Sequence, residues 1–161
     1  MDSVQLIPKK VFFVSGAGKH KDPLVSFELA LRDAGIEKFN LVPVSSILPP
    51  GCEFIDSKEG LSQLKPGQIV FTVMAKYTSN ERGKKIFASI AAAKPEDERR
   101  HGYIAEHSGE WYEGSLDHAE EVASYMVESA FNTKVSKKLS VHKVAEVEDY
   151  TTVVSAAVFV L

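Results

Sequence analysis

The amino-acid sequence predicts an α+β fold in which helices cover the faces of β-sheets. Seven segments have the apolar, β-branched composition of strands, and two further segments show helical spacing of apolar residues. Along the chain they follow one another as strand, helix, strands, helix and strands. This order lacks the regular alternation of a doubly wound parallel sheet. With 161 residues, the chain also has the length of one domain with a real core.

The predicted strands are apolar runs bounded by glycine, proline or polar residues. They cover residues 11–16, 40–46, 68–77, 86–93, 102–109, 139–148 and 151–161. Pro43 makes the second of these an edge strand or an irregular one, because proline donates no hydrogen bond to a neighbouring strand. The polar residues 17–22 (AGKHKD) are expected to form a loop after the first strand.

The first predicted helix has clear signals at both ends. Asp22 is suited to cap it, Pro23 suits its first position, and Gly35 is expected to end it. The second helix is expected to open near Ser115 and Asp117. Its apolar face comprises Ala119, Val122, Ala123, Met126 and Ala130.

Composition argues against several classes of function. The net charge of −3 and the absence of a basic run argue against a nucleic-acid partner. The single cysteine, Cys52, excludes an intrachain disulfide and a Cys-rich metal site, and the five histidines lack ligand spacing, so no metal is expected. No segment approaches the ~20 apolar residues of a membrane span. The start of the sequence has no signal-peptide core, and we expect a cytoplasmic location.

The segment VPVSSILPPG, residues 42–51, places Ser45 and Ser46 side by side between prolines. One interpretation is a strand that ends in a turn, since serine and proline are common there. The other is that the Ser45–Ser46 peptide bond is cleaved, because the Ser46 hydroxyl can reach the carbonyl of Ser45 if the backbone is bent. A Ser-His-Asp hydrolase is not excluded, but the G-x-S-x-G elbow is missing.

Such a cleavage would create a new electrophile. Attack by the Ser46 oxygen converts the amide to an ester, and β-elimination then leaves a dehydroalanine that hydrolyses to a pyruvoyl group and ammonia. A ketone conjugated to an amide forms a Schiff base with an amine and accepts the electrons that decarboxylation releases. Other enzymes assign this role to PLP.

The run GIEKFNLVPVSSILPPG, residues 35–51, resembles the processing segment of pyruvoyl-dependent arginine decarboxylases. Residues 11–35 and HGYIAEHSG, residues 101–109, are similar to other parts of that family. The resemblance implies an enzyme that converts L-arginine to agmatine and CO₂ with a self-made pyruvoyl group and without metal, PLP or nucleotide. It also implies a four-layer αββα sandwich. The proenzyme would be cut into a β chain, 1–45, and an α chain, 46–161, and the cleaved units would form a homotrimer with active sites between subunits.

The resemblance also assigns roles to residues. Ser46 would become the pyruvoyl group, Glu106 would give a proton to the substrate α-carbon, and Asn40 would be an active-site amide. Glu28 stands where the family usually has an aspartate that meets the guanidinium group. The substrate-binding set would be Glu28, Asn40, Ser45 and Ile47.

Taken without the family, these residues leave alternatives open. Glu106 could be a solvent-facing strand residue, and Glu28 fits the solvated face of an amphipathic helix. The same chemistry could act on another amino acid such as aspartate. The chain could also be an unprocessed relative that binds a small amine without catalysis.

Overall fold

A computed structural model describes residues 4–161, which form nine strands and three helices. The strands are β1 Lys10–His20, β2 Asn40–Pro43, β3 Ile47–Leu48, β4 Glu53–Phe54, β5 Ile69–Ser79, β6 Lys85–Pro95, β7 Gly102–Glu110, β8 Val135–Glu146 and β9 Tyr150–Val160. The helices are α1 Pro23–Ala34, α2 Ser57–Ser62 and α3 His118–Phe131.

The strands form two sheets that pack face to face. Sheet A has the order β2-β5-β9-β1-β4 and sheet B the order β3-β7-β6-β8. The pairs β1–β4 and β2–β5 are parallel, whereas the other neighbours are antiparallel. Helix α1 packs on β1 and β9 of sheet A, and α3 packs on β6, β7 and β8 of sheet B. These layers confirm the expected αββα sandwich.

The core is divided by the alternation of side chains along the strands. In β1, Phe12 and Val14 pack with α1 on the outer face of sheet A. Val11 and Phe13 point the other way and pack against residues of sheet B. The outer face of sheet B is closed by a third cluster of mainly alanine and valine side chains beneath α3. The central strands β6 and β9 are therefore buried on both faces, whereas the edge strands β2 and β8 remain partly exposed.

Helix α1 follows its predicted signals closely. The Asp22 carboxylate accepts hydrogen bonds from the amides of Leu24 and Val25, at 2.8 and 3.1 Å, and Gly35 ends the helix with a φ of 82°. The helix lies unusually close to β1. A β-carbon added at Gly16 would stand 2.3 Å from the carbonyl oxygen of Ala30, so only glycine fits there.

Some sequence expectations were wrong. Residues 17–20 are not a loop, because Ala17–His20 continue β1 and pair with β9 as far as Tyr150. Helix α2 and the short strands β3 and β4 were not predicted. Asp117 precedes α3 but makes no capping hydrogen bond with its side chain. No helix in residues 4–161 is long and apolar enough to cross a membrane.

Candidate active site

Ser45 and Ser46 lie where the chain passes from one sheet to the other. They follow β2, at the edge of sheet A, and precede β3, at the edge of sheet B. Just before them, the amide of Val44 donates to the carbonyl oxygen of Thr72 at 2.9 Å. Just after, the amide of Ile104 donates to the carbonyl oxygen of Ser46, also at 2.9 Å. The Ser45–Ser46 peptide bond therefore lies in the short segment that connects an edge strand of sheet A to an edge strand of sheet B, and the segment is hydrogen-bonded on both sides of it.

The backbone bends at Ser46. Ser46 is half-buried, whereas Ser45 is exposed. A bend at this residue is what the hypothesis of attack by the Ser46 hydroxyl on the Ser45 carbonyl predicts. The prolines at 43 and 49 restrict the backbone on both sides of the bend.

Strand β7 brings Glu106 to the same face as Ser46. The pairing of β3 with β7 places Ser46 opposite Ile104, and Glu106 is two residues further along β7. Ile104 belongs to the core between the sheets, and the Ser108 hydroxyl donates to the carbonyl oxygen of Lys76 in sheet A at 3.1 Å. Ile104, Glu106 and Ser108 therefore all face sheet A. Diagonal neighbours of this kind have β-carbons roughly 7–8 Å apart.

The Glu106 carboxyl group has an elevated pKa. Although the residue as a whole is exposed, the surrounding protein removes part of its hydration, and this desolvation raises the pKa. Within residues 4–161, no hydrogen bond or ion pair to this carboxylate offsets the effect. A carboxyl group that keeps its proton to higher pH is suited to act as a proton donor.

Asn40 lies apart from Ser46 in space within a single chain. Its side-chain amide donates to the carbonyl oxygen of Gly67 at 2.8 Å, and the residue is exposed at the start of β2. Because β2 is extended, the strand alone separates Asn40 from Pro43 by roughly 10 Å. The observed bond of Asn40 ties β2 to the turn before β5, and its role in a site stays a prediction.

Glu28 also lies outside the group formed by Ser46 and Glu106. It is on α1, which covers the outer face of sheet A, whereas Glu106 is on β7 of sheet B and Ser46 immediately precedes β3 of the same sheet. The Glu28 carboxylate accepts a hydrogen bond from the Arg32 guanidinium at 3.1 Å. Within one chain, the structure thus unites two of the predicted residues and leaves Glu28 and Asn40 apart.

An apolar cavity of about 480 Å³ lies beside Ser45. Its lining comprises Leu6, Ile7, Pro8, Val44, Ser45, Ile47, Pro49, Pro50, Phe71 and Phe159. Ser45 and Ile47 were predicted as binding residues. The aromatic and N-terminal residues were missed, because only the pairing of β5, β9 and β1 brings them to this edge. The Ile104 amide was also missed, since a backbone donor leaves no signal in the residue type.

Sequence comparison identifies the family. The sequence model for pyruvoyl-dependent arginine decarboxylase matches residues 10–161. The chain belongs to the pyruvoyl-dependent arginine decarboxylase family. It is 60% identical over 156 residues to pyruvoyl-dependent arginine decarboxylase 2 of Archaeoglobus fulgidus, and the matched region covers 97% of this chain and 99% of the relative. It is 52% identical over 162 residues to pyruvoyl-dependent arginine decarboxylase of Methanocella arvoryzae, covering 97% and 98%.

A solved structure of pyruvoyl-dependent histidine decarboxylase is 12% identical to this chain, with a TM-score of 0.48, over 61% of this chain and 53% of that one. As a member of the pyruvoyl-dependent arginine decarboxylase family, the chain is a decarboxylase that uses a covalent pyruvoyl group. The residues around Ser46 fit such a group. A serine side chain is present for conversion, the backbone bends there, and the Ile104 amide holds the adjoining carbonyl group.

Proposed function

We propose that this chain cuts itself between Ser45 and Ser46 and then converts L-arginine to agmatine and CO₂. The products of the cut would be a β chain of residues 1–45 and an α chain of residues 46–161. The observation that carries the proposal is the hydrogen bond from Ile104 to Ser46, on the strand that also presents Glu106. The names of the curated relatives support arginine as the substrate.

The proposed cut proceeds in three steps. The Ser46 oxygen bonds to the carbonyl carbon of Ser45 as the amide C–N bond breaks, and the freed nitrogen takes the hydroxyl proton. Loss of the α-proton of residue 46 then expels the Ser45 carboxylate by breaking the Cβ–O bond. Water finally replaces the nitrogen on the α-carbon, releasing ammonia and leaving a ketone. The bend at Ser46 and the flanking hydrogen bonds position the first step.

The fold predicts that the two pieces stay associated after the cut. In the β chain, all eleven residues of β1 pair with β9 of the α chain, and α1 packs against β1 and β9. Strand β2 pairs with β5, whereas β3 pairs with β7. Each new end would therefore stay bound to a different sheet after the bridge between them is broken.

In turnover, the pyruvoyl group supplies a carbonyl that bonds the substrate amine and withdraws electrons as CO₂ leaves. The chain's own residues orient and protonate. The Ile104 amide, which donates to the carbonyl oxygen of residue 46, would orient the carbonyl group next to the ketone. Glu106, with its raised pKa, would hold the proton that the substrate α-carbon takes up after CO₂ departs.

Assembly into a homotrimer would complete the site. The processing edge exposes apolar side chains that a single chain leaves in water, namely Val42, Val44, Ile47 and Ile69. Exposed apolar residues clustered in this way are typical of contact surfaces. In such an assembly, Glu28 and Asn40 of one subunit could meet Ser46 of another, and the Glu28 carboxylate would bind the substrate guanidinium. A cytoplasmic location stays a prediction.

The decisive experiment measures both cleavage and substrate. Intact-mass analysis of the purified protein should give two pieces, the larger one blocked to N-terminal sequencing because its first residue carries no amine. CO₂ release should be observed with L-arginine and not with L-aspartate. A single full-length mass would favour a non-catalytic amine-binding relative, and turnover of aspartate alone would overturn the substrate while leaving the cleavage proposal intact.

A further inference from the structure

A second cavity, of about 560 Å³, lies at the open end of the gap between the two sheets. Pro49 lines both this cavity and the apolar one beside Ser45, so the two are separated by the segment that follows the processing site. Phe54 of β4 forms part of its wall and packs edge-on against Phe13 of the core, with ring centres 5.6 Å apart. Apart from Pro49 and Gly102, which help to position the segment around Ser46, the residues of this cavity have no role in the proposed cleavage or decarboxylation.

Two lysines project into this cavity from sheet B. Lys94 on β6 and Lys137 on β8 are direct partners in the antiparallel register. Each lies two residues from a side chain of the core between the sheets, Ala92 and Leu139 respectively, and therefore points into the same gap. Their ammonium nitrogens lie 4.5 and 5.3 Å from the centre of the Phe54 ring. The fold thus gathers two cations over one aromatic ring.

These cations lack close counter-charges. In residues 4–161, no carboxylate forms an ion pair with Lys94 or Lys137. Burial lowers the pKa of Lys94, and the positive charge of Lys137 lowers it further. The Cys52 thiol beside Lys94 does not compensate at neutral pH, because burial raises its pKa to about 11.

Three other charged groups face the cavity, two carboxylates and one guanidinium. Glu53 and Glu98 supply two carboxylates, which attract Lys94 from a longer distance. Arg100 supplies a third cation, but its guanidinium is engaged by Asp97 at 3.7 Å and lies over the Phe131 ring. The lining thus carries three cations and two carboxylates. Within residues 4–161, Lys94 and Lys137 are the two of these cations that form no ion pair.

We propose that this cavity binds a small oxyanion of the phosphate class, carrying two negative charges, between the ammonium groups of Lys94 and Lys137. Lysine binds phosphate oxygens as a compact point charge, and a dianion can engage both cations at once. A monovalent ion can neutralise only one of them. The cavity volume falls within the range of small-molecule sites, and its partial burial strengthens charge interactions relative to open water.

The direct test is a calorimetric titration of the purified protein, with both chains present, with sodium phosphate at pH 7.5, against sodium chloride of equal ionic strength. We expect saturable binding of one phosphate per chain, with no corresponding signal from chloride. Lys94→Gln and Lys137→Gln should each weaken phosphate binding by about tenfold or more, because each removes a charged donor.

Lys138→Gln is the matched control. Lys138 follows Lys137 on β8, so its side chain points to the opposite face, where it pairs with Glu120 at 3.1 Å. This variant changes the net charge of the protein as much as Lys137→Gln does. It should bind phosphate like the wild type. Equal weakening in Lys138→Gln would show a non-specific charge effect and overturn the site.

Two further results would count against the proposal. Absence of phosphate binding in the wild type would mean that the lysines only cover Phe54. Tighter binding of succinate than of phosphate would overturn the assignment of ligand class. Should Lys94→Gln fail to fold, Lys137→Gln still decides the question, because Lys137 is exposed and makes no ion pair within residues 4–161. A melting temperature that rises with phosphate in the wild type, but not in Lys137→Gln, supports the same conclusion.

Discussion

The backbone amide of Ile104 donates a 2.9 Å hydrogen bond to the carbonyl oxygen of Ser46. This bond joins the processing segment to β7, which carries Glu106 two residues later. In the proposed reaction, the carbonyl group of residue 46 is retained when its side chain is converted. One donor can therefore align the uncut chain for cleavage and afterwards hold the group that cleavage creates.

Replacing Ser46 should stop self-cleavage. Ser46→Ala removes the attacking oxygen but little volume, and the Ile104 hydrogen bond to the backbone is unaffected. We expect a folded, full-length chain on a denaturing gel. Ser45→Ala is the matched control, since Ser45 contributes its carbonyl group, and this variant should still be cut. A cleaved Ser46→Ala protein would disprove the mechanism.

Gly102→Ala should disturb the position of Ser46 through the backbone. A β-carbon at residue 102 would stand 2.3 Å from the carbonyl oxygen of Ala93 and 3.1 Å from the side chain of Leu48 in β3. Displacement of β3 from β7 would move Ser46, so we expect slower cleavage, followed on a denaturing gel over time.

Gly16→Ala is the control for a general loss of stability. Its β-carbon would be just as crowded, 2.3 Å from the carbonyl oxygen of Ala30, but it lies between β1 and α1, away from the processing edge. Both variants should lower the melting temperature, and only Gly102→Ala should slow cleavage of the folded protein. Equal cleavage rates in the two would contradict a special role for the β3–β7 pairing.

The elements that were predictable from sequence are those with local signals. Asp22, Pro23 and Gly35 defined α1 because caps act through neighbouring residues. The two-residue strands β3 and β4 exist only through pairing with β7 and β1, which no local pattern encodes. Residues 17–20 look like a loop, yet Gly18 serves β1 by letting α1 approach the strand: its β-carbon would stand 2.3 Å from the carbonyl oxygen of Ser26.

The candidate site was partly predictable for the same reason. The serine pair between prolines is a local signal, and Glu106 is a carboxylate in an apolar strand. Their proximity follows from the register of β3 on β7, which had to be observed. The positions of Glu28 and Asn40 relative to Ser46 depend on how chains assemble, and a single chain does not determine them.

Glu106→Gln should separate maturation from turnover. The amide keeps the shape of the side chain but cannot donate a carboxylic proton, so the protein should be cut normally and then decarboxylate roughly 10²–10⁴ times more slowly. In the wild type, activity that depends on protonated Glu106 should fall as pH rises through the raised pKa of this group. Full activity in the matured variant would show that Glu106 is not the proton donor and is only an exposed strand residue.

His107 should make the protein less stable in mild acid. Its ring bonds the Tyr112 hydroxyl at 2.8 Å and lies 4.5 Å from the His118 ring, and burial, then the charge of His118, lowers its pKa. As pH falls, His107 in the unfolded chain is protonated near the ordinary histidine pKa of 6.5, whereas in the folded protein it is protonated only at lower pH. The free energy of unfolding therefore falls as pH drops below about 6.5.

Denaturant unfolding at pH 7.5 and pH 5.5 tests this dependence. His107→Gln should lose less stability than the wild type between the two pH values. The control His142→Gln replaces an exposed histidine on β8 and should behave as the wild type does. An unchanged pH dependence in His107→Gln would show that this histidine titrates alike in the folded and unfolded chain.

Glu28 should determine the preference for a cationic substrate. If its carboxylate binds the guanidinium group of arginine, Glu28→Gln should weaken arginine binding by about 1.5–3 kcal/mol, the scale of a hydrogen bond to a charged group. Self-cleavage should be unaffected, because α1 packs on the outer face of sheet A.

Arg32→Gln is the control, since it removes the present partner of Glu28 but keeps the carboxylate. Exposed pairs at this spacing are worth only about 0.3–0.5 kcal/mol, so arginine binding should be nearly unchanged or slightly tighter. The alternative substrate, aspartate, predicts the reverse for Glu28→Gln, because loss of the negative charge would favour an anionic side chain. KM values for both amino acids in the three proteins distinguish these cases, and equal arginine KM values in wild type and Glu28→Gln would remove Glu28 from the site.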